Sequence, residues 1–362
     1  MRTHRDKILR LPPNRVWRTY TGGRLLDRIE GRLAPADGPE PEDWIGSTVR
    51  AINPGKRPAG EGLARAEFGA QSALIADLVA EDPRYFLGTE HVKHFGPNPM
   101  VLVKYLDAAV RLPFQVHPTV EFSRRRLNAD SGKTEAYYVL ETRPEVAEPF
   151  IYLGFQRPPT RSALKRMIEK QDIAALEKCF DRIPVKPGDV FVVPGGLPHA
   201  IGGGVLMVEV MEPTDFVARI EFEVGGRVIP EPARFMNRDI EFALDMFSFE
   251  ALPAAAVKTR FAPGPVVIES GADIRRESLV DRRLTDRFRV VRTRLAAPWN
   301  WESLGSTILL VLEGSGRAKT RDEVQVLRPY DRILVPHGMR GLRIEPHENL
   351  TFLECLPPLP PG

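Results

Sequence analysis

The stretch Gly188-Asp189-Val190-Phe191-Val192-Val193-Pro194-Gly195-Gly196-Leu197-Pro198-His199-Ala200-Ile201-Gly202-Gly203 decides how this chain folds. A short apolar strand ends at a Pro-Gly-Gly turn, and a second apolar run follows directly after it. The turn sets the height and direction of the side chains that follow it. Among protein side chains, imidazole is the commonest metal ligand. His199 is therefore a positioned histidine whose partners must come from elsewhere in the chain.

The composition is that of a turn-rich soluble protein. Hydrophobic residues make up 43% and charged residues 27% of 362 positions, and 34 Pro and 29 Gly separate many short Val/Ile/Phe-rich runs. This pattern favours a mainly β fold, and the length favours two domains. Lys and Arg number 51 against 48 Asp and Glu, with no basic block, so nucleic-acid binding is not indicated.

The sequence predicts a cytoplasmic protein that does not enter the membrane. Cys179 and Cys355 are far apart and outside any C-x-x-C pair, which argues against disulfides and thiolate metal sites. Residues 1–13 are charged and lack the apolar core of a signal peptide. No apolar run reaches the roughly 18 residues that a membrane helix needs.

Most of the predicted elements are strands. They cover residues 101–107, 112–117, 134–140, 150–153, 205–211, 288–295, 306–312 and 331–336. Helical spacing of apolar residues predicts a helix over 72–82 with Ser72 as N-cap. Two short amphipathic helices are predicted between 160 and 180, with Thr160 and Asp172 as N-caps, as a small helical insertion at about 158–182. The Pro- and Ala-rich segment 251–265 predicts a boundary between a domain of residues 1–250 and one of 251–362.

A weak internal repeat links the two predicted domains. Residues 327–336 echo residues 185–194, each running from an apolar residue through Pro and Asp to Val-Pro. In the first copy His199 stands five residues after the closing proline, whereas Gly341 stands there in the second. The repeat predicts two related β-barrels, of which only the first has kept its chemistry.

Four residues at strands or strand ends are candidate metal ligands: Gln115, His117, Glu135 and His199. Gln115 and His117 are two apart, so on a strand they share a face. Two imidazoles, a carboxylate and an amide oxygen suit Zn²⁺, with Fe²⁺, Mn²⁺ or Co²⁺ as alternatives. The competing interpretation is two hydrogen-bonded turn histidines, a solvated Glu135 and a Gln115 that merely faces a pocket.

Four further histidines are given a structural and not a functional interpretation. His91 and His94 have a chelating i, i+3 spacing but no third ligand nearby, so a surface turn is predicted. His337 and His347 lie in the second repeat and are predicted to be surface residues.

Several motifs together resemble a known family. Gly188-x5-Pro194-x-Gly196-x2-His199 is similar to the second cupin motif, with Gly203 in place of its closing Asn. The order of the remaining motifs resembles the type I (class I) mannose-6-phosphate isomerases of the cupin superfamily. These motifs are Val16-Trp17, Asp43-Trp44-Ile45, Lys104-x-Leu106-Asp107-Ala108, Gln115-Val116-His117-Pro118, Gly132-Lys133-Thr134-Glu135, Pro198-His199-Ala200, Glu209-Val210-Met211 and Thr214-Asp215 with Arg219.

The resemblance implies a fold, a site and an activity. It implies two cupin-like (jelly-roll) β-barrel domains, with one Zn²⁺ per chain bound by Gln115, His117, Glu135 and His199. It implies catalytic roles for the residues Lys133, Glu209 and Arg219, and substrate contacts for Trp17 and Lys104. The expected partner is a small sugar or sugar phosphate, and the expected chain is a monomer or homodimer.

The implied reaction is the interconversion of mannose 6-phosphate and fructose 6-phosphate through a cis-enediol. A divalent ion and an arginine stabilise charge on the enediol oxygens, while a carboxylate or lysine moves the proton. One position departs from the family. Pro113 stands where the family commonly has a serine associated with the substrate phosphate. Two alternatives stay open, an Fe²⁺ cupin oxygenase and a non-catalytic sugar-binding or regulatory cupin.

Overall fold

A computed structural model describes residues 4–360 of the chain. The five terminal residues that the predicted domains also include lie outside this range. All pairs of strands within it are antiparallel, which confirms the prediction of a mainly β chain. Across residues 4–360 the sheets stay open, so they do not form closed barrels. None of the helices in this range is long and apolar enough to span a bilayer.

The described strands are short in the first half and longer in the second. They are β1 (Leu9–Arg10), β2 (Arg15–Val16), β3 (Glu42–Ile45), β4 (Arg65–Phe68), β5 (Gln71–Leu74), β6 (Leu102–Ala108), β7 (Gln115–Val116), β8 (Glu135–Thr142), β9 (Phe150–Leu153), β10 (Ile183–Pro184), β11 (Val190–Val193), β12 (His199–Ile201), β13 (Val205–Met211), β14 (Ala218–Arg219), β15 (Glu223–Val224), β16 (Arg227–Val228), β17 (Val266–Ser270), β18 (Ile274–Val280), β19 (Arg289–Leu295), β20 (Trp299–Asn300), β21 (Thr307–Lys319), β22 (Val324–Leu327), β23 (Arg332–Val335) and β24 (Arg343–Leu356).

The described helices are all of ten residues or fewer and lie around the sheets. They are α1 (Arg24–Ile29), α2 (Ile75–Glu81), α3 (Pro83–Leu87), α4 (Thr89–Phe95), α5 (Val120–Arg126), α6 (Arg161–Lys170), α7 (Ile173–Glu177), α8 (Glu231–Arg234), α9 (Ile240–Leu244) and α10 (Ala254–Phe261). The two predicted helices of the insertion are α6 and α7. Thr160 and Asp172 cap them as predicted, each side chain accepting a hydrogen bond from a backbone N–H three residues on.

Three sheets form the framework. A six-stranded sheet has the order β11-β8-β13-β6-β3-β2, and a five-stranded sheet has the order β10-β9-β12-β7-β14. One apolar core, with Met207 and Ile201 among its members, lies between these two sheets. The third sheet has eleven strands and includes β17 to β24 together with β1, β4 and β5. The predicted division at residue 250 stays a prediction, and the N-terminal strands β1, β4 and β5 extend the sheet of the second half.

Strand β13 is buried on both faces and connects the layers. Val205 and Met207 point into the core between the first two sheets. Leu206, Val208 and Val210 point the other way, into a second core shared with the eleven-stranded sheet. A strand covered on both faces needs a continuous apolar run, and residues 205–211 supply one that only Glu209 interrupts.

Two predicted elements are wrong in detail. Residues 71–74 form strand β5, and the helix begins only at Ile75 with Leu74 as N-cap, so Ser72 does not cap it. Gly69, with φ of 56°, makes the tight turn that pairs β4 with β5. The 112–117 strand shrinks to β7 because Pro113 has no N–H and the N–H of Phe114 donates to Glu221.

The outlying histidines divide into two groups. His337 and His347 are exposed, as predicted. The predicted surface turn at His91 and His94 is wrong, because both lie on helix α4 and His91 is 5% exposed. His91 Nε2 lies 2.7 Å from the carbonyl oxygen of Asn98, and this contact occupies that ring nitrogen.

The register of the sheets supports the internal repeat. In the first copy Val193 of β11 is paired with Glu135 of β8. In the second copy the matching Val335 of β23 is paired with Thr307 of β21. Threonine therefore occupies the second-repeat position of the candidate carboxylate ligand.

Candidate metal centre

Three strand ends bring the candidate ligands together. His199, the first residue of β12, is paired directly with Gln115 of β7. Glu135 begins β8 in the facing sheet, and His117 follows β7 by one residue. The nearest ligand atoms of His117, Glu135 and His199 all lie within 4.8 Å of one another, and all three side chains are buried. The structure therefore brings these three sequence-predicted residues into one cluster.

Both imidazoles present the same nitrogen to the cluster. His117 Nδ1 lies 2.8 Å from the carbonyl oxygen of Phe216, and His199 Nδ1 lies 2.9 Å from that of Leu197. A carbonyl oxygen can only accept, so each Nδ1 carries the hydrogen and each Nε2 keeps its lone pair. Burial lowers the pKa of His117 to about 3 and also lowers the pKa of His199, which favours the neutral ring that binds metal.

The carboxylate of Glu135 faces both lone pairs. Its Oε1 lies 3.1 Å from His117 Nε2, and its Oε2 lies 3.6 Å from His199 Nε2. Tyr137 donates a 2.7 Å hydrogen bond to Oε2, whereas Oε1 accepts no well-aligned hydrogen bond from residues 4–360. Burial opposes ionisation, but the attraction of the groups around it, the Lys133 ammonium among them, outweighs this and lowers the pKa of Glu135. Converging acceptor atoms repel one another unless a cation lies between them, so this donor set fits a divalent metal.

Gln115 lies beside the cluster. Its Nε2 is 3.3 Å from His199 Nε2, and the amide oxygen and nitrogen exchange places when the group turns over. The turned amide directs its oxygen towards the same point as the histidines. Gln115 stays a predicted ligand, and its place in the structure is compatible with that prediction.

The other predicted active-site residues are buried around the same point. Lys133 Nζ is 2.9 Å from Glu135 Oε1 and 3.2 Å from His117 Nε2. Glu209 lies on β13, where it is paired with Lys104 of β6 on one side and with Tyr137 of β8 on the other. Burial and the nearby charge of Glu135 raise the pKa of Glu209 to about 7, despite Lys104 Nζ at 2.7 Å.

Arg219 differs from the other buried cations. It lies directly across from Gln115 in β14 and is 7% exposed, and its Nη1 donates to the carbonyl oxygen of Ala233. Among residues 4–360 it has no carboxylate within ion-pair distance. Burial, and then the charge of Arg18, lower its pKa to about 10. An anion entering the cavity would find this guanidinium unpaired.

Two neighbouring cavities are lined by the residues around the cluster, although His117, Glu135 and His199 line neither of them. The inner cavity is lined by Lys104, Pro113, Gln115, Lys133, Glu209 and Arg219, among others. The outer cavity has a volume of about 300 Å³ and shares Val217 and Arg219 with the inner one. Trp17 lines neither cavity, and its ring is covered by the Arg57 guanidinium at 3.8 Å. A substrate contact from Trp17 therefore stays a prediction that the cavity walls do not support.

Sequence similarity places the chain in a family. It is 35% identical over 265 residues to the mannose-6-phosphate isomerase of Streptococcus mutans serotype c. The alignment covers 72% of this chain and 76% of that relative. It is 27% identical over 273 residues to the mannose-6-phosphate isomerase ManA of Bacillus subtilis, covering 74% and 78%. The chain belongs to the mannose-6-phosphate isomerase family. The resemblance predicted from the motifs is thereby confirmed, although no protein-family model matches the chain.

The fold agrees with that of solved members of the mannose-6-phosphate isomerase family. The B. subtilis mannose 6-phosphate isomerase aligns over 96% of this chain and 99% of its own, with a TM-score of 0.71 at 21% identity. A mannose 6-phosphate isomerase solved with zinc and yttrium aligns over 97% and 100%, with a TM-score of 0.67 at 16% identity. The predicted cupin-like architecture is therefore confirmed at the level of the fold.

Sequence reasoning missed a buried network behind the site of this mannose-6-phosphate isomerase family member. Glu42 Oε1 accepts a hydrogen bond from Tyr20 and lies 3.1 Å from Arg18 Nε, while its Oε2 accepts one from Trp44. Lys104 Nζ is 3.3 Å from the same Oε2. These attractions overcome the opposing effect of burial and lower the pKa of Glu42 to about 2. The only sequence signal was the acidic pair Glu42-Asp43 directly before the apolar pair Trp44-Ile45.

Proposed function

We propose that this protein is a metal-dependent aldose–ketose isomerase that interconverts mannose 6-phosphate and fructose 6-phosphate, with one Zn²⁺ per chain. The observation that carries the proposal is the buried His117–Glu135–His199 cluster, whose two imidazole nitrogens and one carboxylate converge on one point as a zinc donor set does. The named relatives and the zinc-containing neighbour support the choice of substrate and metal. Gln115 is proposed as the fourth ligand.

Charge balance supports a dianionic substrate. Around the site four buried cations stand beside four buried carboxylates, and their charges balance when Glu209 is ionised and both histidines are neutral. The cations are Arg18, Lys104, Lys133 and Arg219, and the carboxylates are Glu42, Glu135, Glu209 and Asp215. A divalent cation would add two positive charges to this balanced set. A sugar phosphate carries about two negative charges at neutral pH and would restore the balance.

The reaction needs a proton moved between neighbouring carbons. A base takes the proton from C2 of the open-chain aldose, the C1 carbonyl oxygen gains a proton, and a cis-enediol results. Return of a proton to C1 and loss of the O2 proton then give the ketose, with no atoms gained or lost. A divalent metal bound at the cluster supplies electrostatic stabilisation of charge on the enediol oxygens.

The chain's own groups take the remaining roles. Glu209 is proposed to hold and move the proton, because a carboxyl with a pKa of about 7 exchanges protons readily near neutral pH. Lys133 and Arg219 are proposed to donate to the oxygens that become negative, since both point into the inner cavity. Lys104 holds Glu209 in place through its 2.7 Å contact. Burial of all four side chains excludes water from the reacting carbons.

The test combines metal content with turnover. Wild-type protein and the variants His199→Ala and Glu135→Gln are analysed for bound metal and for fructose 6-phosphate formed from mannose 6-phosphate. We expect both variants to lose metal and at least about a thousandfold of activity, because the cluster holds the metal that stabilises the reacting oxygens. The control is His347→Ala, which removes an exposed histidine of the second repeat and leaves both readouts unchanged. A metal-free variant with full turnover would refute the proposal.

Substrate controls separate the alternatives. Free mannose and other aldose phosphates are assayed beside mannose 6-phosphate, and turnover of free mannose alone would reject a sugar phosphate as substrate. Oxygen uptake with Fe²⁺ in the absence of isomerisation would favour the oxygenase instead. Saturable sugar binding without turnover would favour a non-catalytic protein.

We also infer a cytoplasmic location and a monomer or homodimer. Cys179 and Cys355 are both free and buried, which suits a reducing compartment. Fractionation of the source cells tests the location, and sedimentation equilibrium at several concentrations tests the oligomeric state.

A further inference from the structure

We propose that Arg18 is a positioning residue that clamps the wall between the inner and outer cavities, and so sets the affinity for substrate. The inference rests on the proposed function only for its kinetic readout. Its structural basis is a bidentate contact, since Arg18 Nη1 donates a 2.9 Å hydrogen bond to Asp215 Oδ2 and Nη2 donates one of the same length to Oδ1. Arg18 is 5% exposed and Asp215 is 4% exposed, so the pair is shielded from water.

Arg18 joins elements from three parts of the chain. Arg18 lies between β2 and β3, and its Nε is 3.1 Å from Oε1 of Glu42 in β3. Its partner Asp215 follows strand β13. Asp215 Oδ2 also accepts a 2.7 Å hydrogen bond from the backbone N–H of Ile52. One guanidinium therefore connects the buried network behind the site to a surface loop.

That loop, residues 50–62, forms part of the cavity entrance and is here named the mouth loop. Ile52 and Asn53 line the outer cavity beside Asp215 and Arg219, whereas Arg18 itself lines the inner cavity. The mouth loop contains no helix or strand, and Ile52 is 56% exposed. Its first half is attached by the Ile52–Asp215 hydrogen bond and by a 3.4 Å contact between Asn53 Oδ1 and Arg18 Nη1. Its second half is held separately, through Arg57 on the Trp17 ring and through hydrogen bonds that Glu61 and Gly62 accept from Trp17 and Asn14.

Geometry makes arginine necessary at this position. A planar guanidinium can engage both oxygens of Asp215 and still direct Nε at Glu42, whereas a lysine ammonium has no such fork. Substitution by lysine keeps the positive charge and removes the geometry. If only the positive charge of residue 18 matters, the Arg18→Lys variant will bind substrate with normal affinity. If the bidentate clamp matters, its affinity will fall.

The first readout is kinetic. In Arg18→Lys we expect KM for mannose 6-phosphate to rise about tenfold, with kcat within about threefold of wild type, because the lost hydrogen bonds hold the wall and not the reacting atoms. Asp215→Asn removes the other half of the clamp at constant volume and is expected to raise KM similarly. In the double variant the rise should match that of the larger single variant, since both act through one contact.

The second readout does not need activity. The mouth loop has trypsin-sensitive bonds after Arg50 and Lys56, and we expect Arg18→Lys to be cut there at least about tenfold faster than wild type, because the open loop is cut in proportion to its population. The matched control is Arg276→Lys, which alters another buried arginine in contact with both oxygens of a carboxylate, Glu354, away from both cavities. It should leave KM and loop cleavage unchanged.

The outcomes separate the two proposals. Unchanged KM and unchanged cleavage in Arg18→Lys would overturn the clamp, as would KM increases that multiply in the double variant. A fall in kcat with a normal KM and an uncut loop would also overturn it, since Arg18 would then act on the reacting atoms. If no sugar phosphate is isomerised by wild type, the proposed function fails, while the cleavage rates still decide whether Arg18 holds the mouth loop.

Discussion

The ion pairs of Lys104 allow a sharp test of how the buried network is balanced. Lys104 is 1% exposed, and its Nζ lies 2.7 Å from Glu209 Oε2 and 3.3 Å from Glu42 Oε2. Lys104→Met keeps the length of the side chain and removes the charge. Glu42 retains Arg18 and two hydrogen-bond donors, whereas Glu209 loses the cation nearest to it. We expect the free energy of unfolding at pH 8 to fall by about 3–5 kcal/mol, the usual cost of leaving a buried charge unpaired.

The pH dependence follows from Glu209. The pKa of Glu209 is about 7 in the folded protein against an ordinary 4.5, so the folded state holds this proton more tightly than the unfolded state. The resulting stabilisation is fully present below pH 4.5 and is lost as the pH rises through 7. The shift corresponds to about 3 kcal/mol. Without Lys104 the pKa of Glu209 rises further, and the loss continues above pH 7. At pH 5 Glu209 is mostly protonated in both proteins, so the deficit of Lys104→Met should be about 1–2 kcal/mol smaller than at pH 8.

The assay is urea unfolding of metal-free protein at pH 5 and pH 8, because bound metal would neutralise the nearby charge of Glu135. The control is Lys165→Met, which breaks a 2.6 Å ion pair with Glu241 on the surface and should cause no measurable loss at either pH. Equal deficits for Lys104→Met at both pH values would refute the assigned role of Glu209. A deficit no larger than that of Lys165→Met would refute the buried ion pair itself.

Two further substitutions probe the metal and the substrate. Tyr137→Phe removes the 2.7 Å hydrogen bond to Glu135 and should weaken metal binding about 10–100-fold in a chelator competition; Tyr138→Phe, on the opposite face of the same strand, should leave the affinity unchanged, and equal affinities for all three proteins would contradict the expected role. Pro113→Ser places a hydroxyl in the inner cavity and should raise kcat/KM for mannose 6-phosphate relative to free mannose about tenfold. An unchanged ratio would mean that position 113 does not contact the phosphate.

Continuous apolar runs were the most predictable part of the fold. Residues 150–153 and 205–211 form strands with the predicted bounds, because each run is buried on a sheet and ends at turn residues. Residues 72–74 have an apolar spacing that suits a helix as well as a strand. Their pairing with β4 decides the outcome, and that pairing depends on the tight turn at Gly69. Local spacing alone contains no information about the partner strand.

The candidate site was predictable where a motif fixes a side chain at a strand end. His117 and His199 meet because β7 and β12 are paired at those ends, and Glu135 begins β8 in the facing sheet. Arg18 and Glu42 gave no comparable signal. Their contact depends on how the segment before β3 folds over β6, which is a tertiary arrangement without a local sequence pattern.

The second repeat lacks the candidate metal ligands and has a structural role instead. It has Thr307 and Gly341 where the first repeat has a carboxylate and a histidine, yet it keeps the strand register. Its strands place Leu310 and Leu353 in the core that also contains Val208 and its neighbours on the outer face of β13. Glu209 lies on the inner face of that same strand, next to Val208. The neighbouring strands β6 and β8 fix the register of β13, and the second repeat covers the apolar face that would otherwise be exposed beside Glu209.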